Sequence, residues 1–237
     1  MPIHTLKLLD RRTVATNTIE LKFEKPEGFN FVAGQYGGFT LVNPEHKDDQ
    51  GINRRFSLLS TPDDKEIAIV TRIQSSAYKR NLETMPIGSE IKFVGPSGAF
   101  VMHEDHSVPA VLIAGGIGVA PFYSMIKHSL THTPEQEIIL LYGNTSITDS
   151  AYFDELKQLA ADHKQFKMIA TLTEPHDDWQ GETGYISDEM IIKNVADIDH
   201  AIFYVCGSLG MVTALQGTLM DLEIGDDRIK VEDFPGY

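Results

Sequence analysis

The segment Ala114-Gly115-Gly116-Ile117-Gly118-Val119-Ala120-Pro121 joins a continuous apolar run, Pro109-Ala110-Val111-Leu112-Ile113-Ala114, to a helical pattern that reaches about His132. Glycine lets the main chain turn sharply and approach a neighbour without a Cβ clash. A strand-to-helix turn of this kind points unpaired helix-start N–H groups at an anion such as a pyrophosphate. The spacing is not G-x-G-x-x-G, and the same residues suit a tight turn with no ligand. A second candidate is Tyr204-Val205-Cys206-Gly207-Ser208, which sets the only cysteine and another glycine at the C-terminal end of a strand. Open α/β sheets bind ligands at that edge. A lone cysteine also serves as a small buried hydrophobe. With no histidine or basic partner near it in sequence, Cys206 is not expected to be a covalent nucleophile.

Two kinds of scaffold must position these residues. Short strands mark the first half: Thr18–Phe23, Phe39–Val42, Arg55–Leu59, Glu66–Ile73 and Glu90–Val94, separated by turns such as Pro26-Glu27-Gly28 and Gly95-Pro96-Ser97-Gly98. Their close spacing favours an antiparallel barrel or sandwich. One helix interrupts them near Ala77–Met85, with Ser75 or Ser76 as its N-cap. In the second half apolar strands alternate with helices. The strands are Pro109–Ala114, Ile138–Tyr142, Lys167–Leu172, Ala201–Val205 and Arg228–Val231; the helices are Gly118–His132, Tyr152–His163, Ser187–Val195 and Leu209–Leu222. That rhythm predicts a doubly wound parallel sheet. The boundary is expected in His103-Glu104-Asp105-His106-Ser107, read as a solvated turn, which gives domains 1–105 and 106–237.

Charge follows the same division. The 237 residues carry 20 basic and 34 acidic side chains, a net of −14. Residues 1–105 hold 13 basic and 14 acidic groups, whereas residues 106–237 hold 7 and 20. Such a balance argues against a nucleic-acid partner, which would call for cations. It also implies that the second half binds any anionic ligand through main-chain amides. One cysteine excludes an internal disulfide framework and an all-cysteine iron–sulfur or zinc site within the chain. No apolar run reaches membrane-spanning length, and Met1–Lys7 offers no signal-peptide core. These features lead us to expect a cytoplasmic protein. His128 and His132 lie four apart on a helix without a third ligand nearby in sequence, so no metal site is expected. Met211, Leu215 and Leu219 recur at helical spacing and read as core.

Several segments resemble one family. Arg54-Arg55-Phe56-Ser57 is similar to the flavin-binding Arg-x-Tyr/Phe-Ser motif of the ferredoxin–NADP reductase superfamily. Gly115-Gly116-Ile117-Gly118-Val119-Ala120-Pro121 resembles its Gly-Gly-x-Gly-x-x-Pro nucleotide loop, and Cys206-Gly207 its Cys-Gly strand end. The terminal Val231-Glu232-Asp233-Phe234-Pro235-Gly236-Tyr237 resembles the Glu-x-Phe-x-Gly-Tyr ending of one subgroup. The motifs keep the family's order and span nearly the whole chain. The resemblance implies a six-stranded antiparallel Greek-key flavin-binding barrel followed by a five-stranded parallel nucleotide-binding domain, with the active site in the cleft between them. It also implies FAD and NAD(P)H as cofactors.

FAD carries a pyrophosphate, for which Arg54 is the candidate cation because its planar fork grips phosphate oxygens in pairs. Arg55, Lys79 and the helix-start amides of Ser76, Ala77 and Tyr78 would supply the rest. By resemblance Phe56 packs on the flavin ring, the Ser57 hydroxyl meets flavin N5, and Thr71 and Arg72 lie along the ring edge and ribityl chain. Gly115, Gly116, Gly118, Pro121, Thr145 and Gly207 would receive the dinucleotide. Cys206 would sit beside the nicotinamide, with Glu232 as its orientation or proton partner and Phe234 or Tyr237 covering the flavin. The family often has an arginine after Tyr142-Gly143-Asn144; here the run is Thr145-Ser146-Ile147-Thr148-Asp149, with no cation for a 2′-phosphate, which favours NADH. Ser208 stands where the family has proline, which implies a looser loop. The implied function is FAD-dependent NAD(P)H oxidation, with electrons passed to a ferredoxin, a flavodoxin or a small molecule. An acidic carrier would dock only near Arg54, Arg55, Arg72, Lys79 and Arg80. The alternative is a non-catalytic flavin-binding regulator or electron-transfer subunit.

Overall fold

The computed structural model describes residues 2–233 and divides into two compact units, Met1–Val101 and Met102–Tyr237. The first unit is a six-stranded sheet of β1 (Ile3–Ala15), β2 (Thr18–Glu24), β3 (Tyr36–Leu41), β4 (Asn53–Ser57), β5 (Glu66–Arg72) and β6 (Glu90–Ser97), with one helix, α1 (Ala77–Thr84). The strand order is β4-β3-β6-β1-β2-β5, with every neighbouring pair antiparallel. Alternation explains the strands: in β6, Ile91 and Phe93 turn inward while Glu90, Lys92 and Val94 face out. They join Leu6, Leu8, Leu21, Phe23, Phe39 and Ile69 in one core, onto which α1 folds Tyr78 and Leu82. β1 adds a strand that the sequence pattern does not predict. Lys7, Asp10, Arg11 and Arg12 break its apolar pattern, and Leu6 and Leu8 are its only fully buried side chains.

The second unit is wholly parallel. Its elements are β7 (Ala110–Gly115), α2 (Val119–His132), β8 (Ile138–Asn144), α3 (Phe153–Asp162), β9 (Phe166–Leu172), β10 (Glu182–Thr183), α4 (Asp188–Asn194), β11 (Ile202–Gly207), α5 (Leu209–Asp221) and β12 (Ile229–Asp233). The order β10-β9-β8-β7-β11-β12 makes six strands rather than the expected five. The addition is the two-residue β10, which pairs with Thr171 and Leu172 and is too short to carry a pattern. Val111, Ile113, Ile139, Leu141, Phe203 and Val205 pack on one face of the sheet against α4 and α5 residues such as Met190, Ile191, Val212 and Leu215. Right-handed crossovers put α2 and α3 on the other face. The chain leaves β7 toward β8 on one side and returns to β11 on the other. The C-terminal ends of β7 and β11 therefore flank the switch point at which such sheets bind ligands. Among the described residues no helix is long and apolar enough to cross a membrane.

Candidate functional site

Each unit carries its own cluster of functional side chains. In the first, β4 is an edge strand in the hydrogen-bonding order and places Arg54, Arg55, Phe56 and Ser57 in sequence along it. The Arg54 guanidinium lies 5.2 Å from the centre of the Tyr78 ring. It donates to the carbonyls of Gln50 at 2.9 Å and Asn53 at 2.7 Å, so its fork is engaged by the β3–β4 connection. Arg55 lies over Tyr36 at 5.6 Å. Phe56 is half-buried and meets Phe39 edge-on at 5.8 Å, so it serves the core as well as any ligand. Ser57 and Thr71 are buried.

At the start of α1 the expected cap is only partly right. Ser76 occupies the N-cap position but makes no side-chain cap bond, and its Oγ is buried with no partner. The Ala77 N–H instead donates to Asp48 Oδ2 at 2.8 Å. No local pattern points to Asp48, which reaches the helix from 29 positions away. Tyr78 turns its ring into the core and donates to the Phe39 carbonyl at 2.9 Å, which leaves its main chain for a ligand. Burial, and then the charges of Arg54 and Arg72, hold the Lys79 ammonium below its usual range. Arg72 Nε is also buried without a partner. A lysine destabilised by two arginine charges, with Arg72 Nε and Ser76 Oγ buried and unpartnered, suits a polyanionic ligand. Asp48 shows that the helix start accepts an oxyanion.

In the second unit the glycines have specific neighbours. Gly116 holds φ at +52°, which favours glycine. A Cβ on Gly118 would stand 2.3 Å from the Cys206 carbonyl oxygen, and one on Gly115 would stand 2.0 Å from Met211 Sδ. The main chain of β11 thus requires glycine at Gly118, whereas beside Gly115 the end of the Met211 side chain can move aside. Met211, read as core, also lies 2.9 Å from where a Gly207 Cβ would sit. It packs against the second-unit core, as its helical spacing predicts. Pro121 is the third residue of α2. Ser208 does not loosen the turn: its Oγ accepts the Met211 N–H and caps α5. Cys206 is fully buried and pairs in register with Glu232. Burial, and then Glu232 and Asp233, push its thiol pKa well up, which keeps it protonated and unreactive. Phe234 and Tyr237 lie outside the described residues.

At the end of β8, Thr145 is exposed and its carbonyl accepts the Glu174 N–H. Ser146 Oγ donates to Asp149 Oδ2 at 2.6 Å, which sets a carboxylate in this loop. The Asn144 side chain is buried and neither amide atom has a partner. An unmet buried polar group costs about 1–3 kcal/mol, so this edge is suited to a ligand with both a donor and an acceptor.

His103, expected in a solvated turn, is tied into the second unit. Its Nε2 lies 2.9 Å from the Val108 carbonyl, so Nε2 carries the proton and Nδ1 accepts from the Tyr204 hydroxyl at 3.0 Å. The Tyr204 oxygen in turn accepts the His103 main-chain N–H at 2.8 Å and Lys230 Nζ–H at 3.3 Å. Burial, with Lys230 adding to it, lowers the His103 pKa from its ordinary 6.5. Below pH 6.5 the unfolded chain takes up a proton that the folded chain refuses. Stability from this group is therefore full above pH 6.5 and falls as pH drops from there toward the folded-state pKa. His103→Ala is expected to cost about 1–3 kcal/mol at pH 7.5 and to flatten the loss between pH 7.5 and 5.5. Urea midpoints at the two pH values for both proteins check this; an equal pH dependence would contradict it.

The family model for an oxidoreductase NAD-binding domain matches residues 112–217. Ferredoxin–NADP reductase B of Sorangium cellulosum is 30% identical over 185 residues, covering 76% of this chain and 74% of that protein. The reductase component of propane 2-monooxygenase from Mycolicibacterium goodii is 28% identical over 92% of this chain, which spans 63% of that relative's length. The crystal structure of the flavohem-like FAD/NAD-binding domain of Vibrio cholerae nitric oxide dioxygenase shares the fold, with a TM-score of 0.85 at 22% identity, covering 97% of this chain and 98% of that one. The chain belongs to the ferredoxin–NADP reductase-like superfamily of FAD- and NAD(P)-binding oxidoreductases.

Proposed function

We propose that the chain is an FAD-dependent NAD(P)H oxidoreductase with NADH as its preferred donor, acting from the cytoplasm. Bound FAD supplies hydride acceptance at N5 and onward delivery of electrons to a separate acceptor, either a ferredoxin- or flavodoxin-type carrier or a small molecule. The observation that carries this reading is the group of Arg54, Arg72 and Lys79 around the start of α1, where Arg72 Nε and Ser76 Oγ lack partners. In this reading residues 1–105 are the FAD-binding domain and residues 106–237 the NAD(P)-binding domain. The first sheet closes as a barrel, an arrangement supported by the Leu59 N–H donating to the Ala68 carbonyl at 2.8 Å, just beyond β4 and within β5.

The residues divide the work. Arg54, Arg55, Lys79, the Ser76 hydroxyl and the main chain of Ala77 and Tyr78 would hold the pyrophosphate, at the helix start where the Ala77 N–H donates to Asp48. Phe56, Thr71 and Arg72 line the ring edge and ribityl chain, and the Ser57 hydroxyl fixes N5. Gly115, Gly116, Gly118, Pro121, Thr145 and Gly207 seat the dinucleotide through main-chain groups, as an acidic unit requires. Cys206 packs beside the nicotinamide as a neutral thiol, with Glu232 as its positioning partner. Titrating FAD into the purified chain is expected to quench flavin fluorescence with one equivalent bound. No binding would overturn the reading.

Donor choice follows from the end of β8. A phosphate offers only acceptors to the unpaired Asn144 amide and would face the Asp149 carboxylate, whereas a ribose hydroxyl both donates and accepts. We expect kcat/KM for NADH to exceed that for NADPH at least tenfold. Steady-state rates with the two donors decide it, and an NADPH preference contradicts it. Acceptor class is read from salt: a steered protein carrier slows as ionic strength rises, while a small neutral acceptor does not.

A further inference from the structure

Two imidazoles meet near the end of α2 remote from its glycine loop. His128 and His132 are four residues apart and share a helix face. Their ring centroids lie 4.3 Å apart at an interplanar angle of 37°, and one ring nitrogen of each lies within 4.8 Å of the other. His132 is exposed and His128 half-buried, so the pair opens toward solvent from one side. His132 occupies the last turn of α2, where unpaired carbonyls place partial negative charge. Residues 106–237 hold 20 acidic side chains against 7 basic ones, and their field favours cations.

We propose that His128 and His132 chelate a divalent transition cation, Zn²⁺, Ni²⁺ or Cu²⁺, with water filling the remaining positions. Two histidines at this spacing form the helix-borne half of known zinc sites. The sequence offers no third ligand nearby, but two imidazole nitrogens and water make an open site. Imidazole nitrogen selects these ions over Mg²⁺ and Ca²⁺, which take oxygen ligands. The bound ion bridges adjacent turns and stiffens the end of the helix that begins at the glycine loop. The inference stands apart from the flavin reading.

The test is calorimetric titration of Zn²⁺ and of Ni²⁺ into the full chain at pH 7.5, with Mg²⁺ as a control. We expect one equivalent bound, at least tenfold weaker binding in His132→Ala, and no change in His200→Ala, whose ring pairs with Asp197 at 2.6 Å. The ion should raise the thermal midpoint of the wild type and not of His132→Ala. His132 is exposed, so its variant is expected to fold; His128→Asn provides an independent second variant. Equal affinity in wild type and His132→Ala, or no binding of either ion up to millimolar concentration, would overturn the proposal.

Discussion

Ser57→Ala is expected to slow anaerobic bleaching of the flavin by NADH about 10²–10³-fold, the usual cost of removing one aligned hydrogen-bond partner from a reacting centre. Ser57 is buried at the end of β4, opposite Tyr36 in β3, so its hydroxyl is held by the sheet and not by a mobile loop. The substitution removes one oxygen from a packed position, and FAD affinity should change by no more than a few-fold. Stopped-flow bleaching and flavin fluorescence separate the two effects. A bleaching rate within twofold of the wild type would remove Ser57 from the chemistry. Tighter FAD binding with a slowed rate would still place the hydroxyl at the reacting atom.

Gly118→Ala carries the second large effect. The added Cβ would meet main-chain atoms: Cys206 O at 2.3 Å, Cys206 C at 2.7 Å and Gly207 Cα at 2.9 Å. None of these can rotate aside, so the start of α2 and the end of β11 must separate. Overpacking of this kind costs about 1–3 kcal/mol and moves the two elements that flank the switch point. We expect a lower urea midpoint and at least tenfold weaker NAD⁺ binding. Gly210→Ala is the matched control, because a Cβ there meets nothing within 4 Å, and it should be neutral or slightly stabilising. Normal NAD⁺ affinity in Gly118→Ala would show that the packing of these glycines on β11 does not shape the nucleotide site.

The glycine loop was legible because a buried parallel strand reads as an unbroken apolar run and the turn after it as glycine. The physical reason for the individual glycines was not. The sequence suggests room for a pyrophosphate, whereas Gly118 has to admit the Cys206 carbonyl and Gly115 packs beside the movable end of the Met211 side chain. Helical spacing assigned Met211 to the core; its position over two glycines depends on how α5 returns across β11. Asp48 at Ala77 and the tie from His103 to Tyr204 are likewise long-range, joining positions 29 and 101 residues apart. No local pattern encodes such pairings. β1 is illegible for a different reason: strand pairing on both sides, with β2 and β6, sustains a segment whose charged residues break the alternation.

The central claim is that this chain moves electrons from a reduced nicotinamide to a flavin that it binds. Its most direct test is anaerobic titration of the FAD-loaded protein with NADH, followed in the flavin's visible band. The expected result is stoichiometric loss of the yellow colour. A protein that binds FAD and keeps its colour with excess NADH and NADPH alike would be a flavin carrier or regulator, contradicting the account.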